Sequence, residues 1–302
     1  MSRIFPFIIT LFLFASCQEL DRIFPKTDQA ETPEARRKSY SYACLDSAAA
    51  GNRLGRTLGK AGNVVRDIAV NENKITDEVQ SQYGAAFHKQ MVEQEKAFKL
   101  WTDTRINTQL QTALDNLLRV RPNPSGIKYN IYALEDTAVN AFTFGGRIYI
   151  TRGMLRQTGN SKALLYAIIG HEIGHSEEGH IKKTIQGLQL TTNIFGEANA
   201  GMVMQVTKLL TASFNQRNEL EADYYGIELT HRLGQQVCSA VAFWREMASK
   251  ENRYSQVEDF FRTHPFSSLR AQCLQDHISA NFNTSCGGVD ERKMIPEVME
   301  QE

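Results

Sequence analysis

His171-Glu172-Ile173-Gly174-His175 sets two imidazoles four residues apart, with a carboxylate directly after the first. On a helix, positions four apart are turned by about 40°, so both rings reach one ion. Glu172 then points to the ion's open side, where a carboxylate holds and deprotonates a water instead of ligating. The chemistry is metal-assisted hydrolysis without a covalent intermediate. From the chain's own His and Glu frequencies, a chance match is roughly a one-in-a-hundred event. The apolar run Ala163–Ile169 before the motif also argues against a solvent-facing helix with incidental histidines.

A catalytic zinc needs a third protein ligand and an open fourth position. His180 lies nine residues after His171, on the opposite side of a continuing helix unless a break at Gly179 redirects it, and it is not expected to ligate. Glu177 and Glu178 read as a solvated turn. Asn218-Glu219-Leu220-Glu221-Ala222-Asp223 is a stronger source. Glu219 and Asp223 share a helical face, and Ala222 permits close approach. One carboxylate would bind the metal while the other orients a ligand histidine through its ring N–H. Glu221 reads as an ordinary surface charge. Two His and one Glu with an open position suit zinc, one ion per chain.

The elements around these residues follow from periodicity. An apolar stripe of Ile106, Leu110, Ala113, Leu114 and Leu117 lies within a helical pattern spanning 75–119. The period then drops to two. Ile127–Tyr132, Asn140–Phe144 and Arg147–Thr151, the last two joined by Gly145-Gly146, predict a small antiparallel sheet of about three strands. Helices are expected at 161–178, 181–213, 216–233, 236–250 and 267–280. The fold class is α+β, mostly helical, with one domain over 43–286: a helical part to about 122 and a catalytic core over 123–280. Residues 287–302 read as a loose tail, and Gly51, Gly55 and Gly59 as a flexible stretch.

With 34 basic against 34 acidic residues the chain offers no field for a polyanion, which excludes nucleic acid as the main partner. Ile4–Phe14 is too short to span a bilayer but suits the apolar part of a secretory signal. It ends in Ala15-Ser16-Cys17, which resembles a lipoprotein cleavage site, with 1–16 removed, Cys17 lipidated and 17–42 as a tether. Gln18 favours sorting to an outer membrane, facing the periplasm. Cys44, Cys238, Cys273 and Cys286 would then sit in an oxidising compartment, where three pairings are open and the short loop favours Cys273–Cys286.

The motif at 171–175, followed by Glu219-Leu220-Glu221-Ala222-Asp223, resembles the gluzincin peptidases related to HtpX and the CAAX prenyl protease, in their soluble BepA/LoiP/Oma-like branch. The resemblance covers about residues 75–280. It implies a zincin-like fold, with Glu219 and not Glu221 as the third zinc ligand and Asp223 as the partner of a ligand histidine. It also implies functional roles for His264, in His264-Pro265, and for Arg270. These two would steady the oxyanion formed on a peptide carbonyl; alternatively, His264 fills the fourth zinc position and holds the enzyme latent. Arg147 and Tyr149 would bind an extended substrate at an exposed edge of the Arg147–Thr151 strand. The implied function is endoproteolysis of misfolded or misassembled envelope proteins. The alternative is a latent, metal-containing chaperone or assembly scaffold.

Overall fold

The computed structural model of the chain describes residues 40–45, 75–195 (side chains to 187), 214–250, 263–264 and 267–286. The expected signal and Cys17, most of the expected tether, the glycines at 51, 55 and 59, residues 196–213 of the helix expected over 181–213, Pro265 and the expected tail lie outside the described residues.

The helical pattern at 75–119 is two helices. Helix α1 (Asp77–His88) is capped by Thr76 and runs into one π-helical turn at Lys89–Gln94. Helix α2 (Thr104–Arg119) starts at Asp103, whose carboxylate accepts the Ile106 amide at 3.1 Å. Its stripe Leu110, Ala113, Leu114 and Leu117 is buried, as the period requires.

Strands β1 (Asn130–Leu134), β2 (Ala141–Phe144) and β3 (Arg147–Thr151) form one sheet in the order β1-β3-β2. The sheet is mixed and not antiparallel throughout: β2 pairs antiparallel with β3, but β1 pairs parallel with it. Gly145 and Gly146, at φ 58° and 84°, close the β2–β3 hairpin with the left-handed backbone such turns need. The β1–β2 connection carries the chain past β3's place, so β3 ends in the middle. Ile148-Tyr149-Ile150 has no polar alternation and is fully buried, as a strand covered on both faces must be.

Five further helices follow: α3 (Arg152–Thr158), α4 (Lys162–Glu177), α5 (His180–Phe195), α6 (Gln216–Arg232) and α7 (Cys238–Lys250). The last helix described is α8 (Ser267–Phe282). Ser161 caps α4 and Asn215 caps α6 through side-chain oxygens. Gly234, at φ 66°, follows the end of α6 as expected. The main core lies between α2, the inner sheet face, α4, α6, α7 and α8. A second cluster covers the outer sheet face with Phe87, Met91, Phe144, Tyr149, Ile181 and Ile185. No helix among the described residues is long and apolar enough to cross a membrane.

The disulfides are Cys44–Cys273 and Cys238–Cys286, which corrects the Cys273–Cys286 expectation. Cys273 lies inside α8 and pairs with Cys44, while Cys286 lies just past the helix's end. Cys238 instead opens α7, which packs on α8 and meets the segment leaving it.

Candidate metal centre

Helix α4 is buried from Ala163 to Ser176, an apolar helix with its chemistry built into the interior. It crosses α6 through small residues. A Cβ on Gly170 would meet the Gly226 Cα at 2.8 Å, and one on Gly174 would meet the Ala222 Cα at 2.9 Å. This close crossing sets His171 and His175 against Glu219 and Asp223, both buried on α6.

Each histidine is held from behind. Asp223 Oδ1 lies 2.9 Å from His171 Nδ1 and accepts its proton. Arg270 of α8 grips Asp223 with two bonds of 2.7 Å. In the neutral tautomer this leaves His171 Nε2 as a lone pair directed inward. His175 Nδ1 lies 3.1 Å from His180 Nδ1, and His180 Nε2 lies 2.9 Å from Glu221 Oε2. Glu221 only accepts, so the proton sits on His180 Nε2, His180 Nδ1 accepts, and His175 Nδ1 donates. His175 Nε2 is then also a bare lone pair, 3.0 Å from that of His171.

Two facing lone pairs in a buried site repel unless a cation lies between them. Glu219 completes the set: Oε1 is 3.4 Å from His175 Nε2, and Oε2 is 3.6 Å from His171 Nε2. His264 Nδ1 is 3.3 Å from His171 Nε2 and 3.1 Å from Glu219 Oε2, while its Nε2 donates to the Ala141 carbonyl at 2.9 Å. The four donors lie within 4.8 Å of one another. Tetrahedral zinc with bonds of about 2.0–2.1 Å needs ligand–ligand edges of about 3.3–3.4 Å. These distances, 3.0–3.6 Å, lie close to that edge, while the set as a whole is bounded at 4.8 Å.

Burial and neighbouring charge bias the protonation of these groups in different directions. Burial raises Glu172 above the ordinary carboxylate value, with His264 and His171 opposing it only in part. Its Oε2 has no hydrogen-bond partner among the described residues, and Oε1 is 3.7 Å from His264 Nε2. Burial would also raise Glu219, but Arg270, 2.7 Å away, and His264 hold it well below the ordinary value. Burial drives His175 well below the ordinary imidazole value, which keeps it neutral as a ligand must be. For His264 burial opposes protonation, but Glu219 outweighs it and the value rises. Beside His171 and Glu172 a small, mostly apolar pocket is walled by Leu164, Ile168, Ile227, Phe243, Trp244 and Leu274.

The structure brings His171, Glu172, His175, Glu219, Asp223, His264 and Arg270 together. It does not bring Arg147 or Tyr149 to them as substrate contacts. Because β3 is central, both its edges are paired. Tyr149 is fully buried with its hydroxyl 3.0 Å from His88, and Arg147 donates to the Ser81 carbonyl. Arg270 is committed to Asp223 and Glu219, under the Trp244 ring, which makes it a positioning residue.

Two expectations about charge also change. Glu177 and Glu178 are not a solvated turn: Glu177 accepts from Arg121, Ser125 and Tyr129, and Glu178 is buried beside Tyr40. Glu221 is not a surface charge but stands behind His180, 3% exposed. The chain does break at Gly179 (φ 79°), so His180 opens a new helix and turns toward His175, not toward the metal. Gly179, named from the sequence as a possible break, makes it because it has no side chain to oppose a left-handed turn.

Residues 101–278 match the family model described as Peptidase family M48. Metalloprotease LoiP of Escherichia coli (strain K12) is 32% identical over 184 residues, 56% of this chain and 70% of LoiP. The beta-barrel assembly-enhancing protease of Yersinia pestis is 24% identical over 228 residues, covering 64% of this chain and 47% of the relative. Mitochondrial metalloendopeptidase OMA1 of Schizosaccharomyces pombe is 25% identical over 162 residues, covering 51% and 48%. The chain thus spans 70% of the first relative and about half of the other two.

Proposed function

The chain belongs to peptidase family M48 and is a metalloendopeptidase, and from this premise we propose that His171, His175 and Glu219 hold one zinc ion while Glu172 acts as the general base. The observation that carries the reading is the pair of inward lone pairs on His171 and His175, closed by Glu219. When bound, zinc supplies a Lewis acid that lowers the pKa of a water and polarises the scissile carbonyl. Glu172, unpartnered at Oε2 and raised by burial, takes the water's proton and returns it to the departing amide nitrogen. Asp223 and Arg270 keep His171 and Glu219 in place.

His264 fills the fourth donor position and holds the site latent. The support is its Nδ1 among the donors while its Nε2 takes the Ala141 carbonyl. Ala141 belongs to β2, whose outer edge has no strand partner among the described residues. An extended peptide adding to that edge would compete for the same carbonyl as His264, so substrate arrival and release of His264 are one event. The apolar walls of Ile168, Phe243 and Trp244 would favour an apolar side chain next to the scissile bond. Backbone reading of this kind suits unfolded or misassembled chains, and the two disulfides suit an oxidising compartment. With Ala15-Ser16-Cys17, this supports a lipid-anchored protein of the bacterial periplasm that acts on envelope proteins. A second reading, a latent chaperone or scaffold, draws on the same fourth donor, since closed four-ligand sites are structural.

The test is zinc content and peptidase activity of the full chain, its Glu172→Gln form and its Glu219→Ala form. Glu172→Gln should keep about one zinc and lose 100-fold or more of the activity, within the range of general-base catalysis, about 10²–10⁴-fold. Glu219→Ala should lose the metal. A zinc-loaded parent as inactive as Glu172→Gln after His264→Ala would favour the scaffold.

A further inference from the structure

Every donor of the metal centre lies within residues 101–278, but the polar chain behind His175 leaves that stretch. From His180 it passes to Glu221, whose Oε1 accepts the Tyr42 hydroxyl at 2.7 Å and Arg217 Nε at 3.0 Å. Tyr42 lies 4.4 Å under the Arg217 guanidinium, on the short segment Tyr40–Leu45. That segment is tied down twice more: the Tyr224 hydroxyl donates to the Ser41 carbonyl at 2.7 Å, and Cys44 is bonded to Cys273, three residues beyond Arg270 on α8.

We propose that His180 and Glu221 are positioning residues for His175, and that Tyr40–Leu45, fastened by the Cys44–Cys273 disulfide, is a strap that completes their hydrogen-bond chain. Retention of the metal then depends on a part of the chain outside the family-matched region. The proposal rests on the reading of His175 as a ligand.

The physical reason is tautomer control. A histidine ligates through Nε2 only while its proton stays on Nδ1, which requires an acceptor there. His180 Nδ1 accepts only while its own proton stays on Nε2, which requires the Glu221 carboxylate. Tyr42 and Arg217, both donors, hold the other Glu221 oxygen and fix which oxygen faces His180. A glutamine at 221 would turn its carbonyl to these two donors and its amide to His180. The tautomers would reverse along the chain, and a proton would arrive on His175 Nε2, inside the metal centre. His171 needs no such strap, because Asp223 and Arg270 hold it within the helices.

The test uses the full chain, with zinc affinity measured by competition against a chromophoric chelator and coordination by the visible absorption of bound Co²⁺. Glu221→Gln, nearly isosteric, should bind zinc about 10–100-fold more weakly and change the Co²⁺ spectrum, the span typical of groups that orient a ligand. Tyr42→Phe and the double variant Cys44→Ser with Cys273→Ser should each weaken zinc by less than that, about three- to tenfold. A purely structural role would lower the thermal stability of the metal-free forms and leave affinity and spectrum as in the parent. Glu221→Gln and Tyr42→Phe both within twofold of the parent would overturn the proposal. Should Glu221→Gln fail to fold, Tyr42→Phe decides, since it removes one hydroxyl from a half-exposed ring. Parent affinity in the double cysteine variant alone would overturn the strap. A parent that binds no zinc would instead overturn the underlying ligand assignment.

Discussion

Two regions of this molecule are equally dry and are held together by opposite means. Between α4, α6 and α8, His171, Glu172, His175, Glu219, Asp223, His264 and Arg270 are each at most 6% exposed. On the outer sheet face, Phe87, Leu134, Phe144, Tyr149, Ile181 and Ile185 are each at most 5% exposed. The second region is stabilised by area, about 1.5–3 kcal/mol for each large apolar side chain buried. Its aromatic row, Tyr132, Tyr149 and Phe142, stacks across one register line of the sheet. The first region buries charges that cost several kcal/mol each unless paired, so its members persist only as a set. A region held by area tolerates loss piecemeal. A region held by pairing fails together, and its unmatched remainder, two facing ring nitrogens and the Glu172 Oε2, is what the proposed metal and water would take up.

The comparison predicts where damage stays local. Phe87→Ala removes a ring that meets Phe98, Phe144 and Tyr149, and should cost about 3–5 kcal/mol by denaturant unfolding. Zinc affinity of the folded fraction should stay within about twofold of the parent. Affinity falling with stability would break the distinction between the regions.

His277 sharpens it, being an imidazole held in the manner of the aromatic region. It stacks on Tyr224 at 4.1 Å, and burial lowers it to about 4 from 6.5. Below pH 6.5 the unfolded chain takes a proton that the folded one refuses. Stability is therefore full above about 6.5 and falls until about pH 4, by at most about 3 kcal/mol. His277→Phe should remove that part of the slope, measured as the difference between parent and variant melts from pH 7 to 4. An unchanged slope would assign the loss to the paired histidines.

The smallest effect on stability comes from Gly170→Ala, at the α4–α6 crossing, where the added methyl meets the Gly226 backbone. Overpacking of this kind costs about 1–3 kcal/mol. Because it separates His171 from Glu219 and Asp223, zinc affinity should fall by tenfold or more at this modest loss of stability. Parent affinity would show that the two helices shift together without disturbing the donors.

Much of the site was legible in one dimension because its spacing is helical. His171 and His175 share one turn, and Glu219 and Asp223 share another, so each pair was matched before any fold was known. The α2 stripe and the β2–β3 hairpin were legible for the same reason: one period, one glycine turn. The order of the strands was not, because pairing of β1 with β3 is a contact between segments that nothing local distinguishes from a simple meander. Arg147 and Tyr149 were misjudged through that one gap. Glu221 was misjudged because a charge two residues from a ligand looks like surface; His180, as expected, is not among the clustered donors, but nothing in the spacing gave its contact with His175.

The sequence by itself set the spacing of the two histidines, of Glu172 between them and of the carboxylate segment, since this spacing depends only on the helical repeat. Asp223 apart, tertiary structure alone decided which groups stand around the cluster. Arg270, His264 and Tyr42 reach the centre from α8, from the stretch before it and from the N-terminal segment. The disulfide of Cys44 to a helix 229 residues away has no local signal at all. The reason is physical: a buried charge takes whichever partner packing brings to it, and that choice is made only when the helices meet.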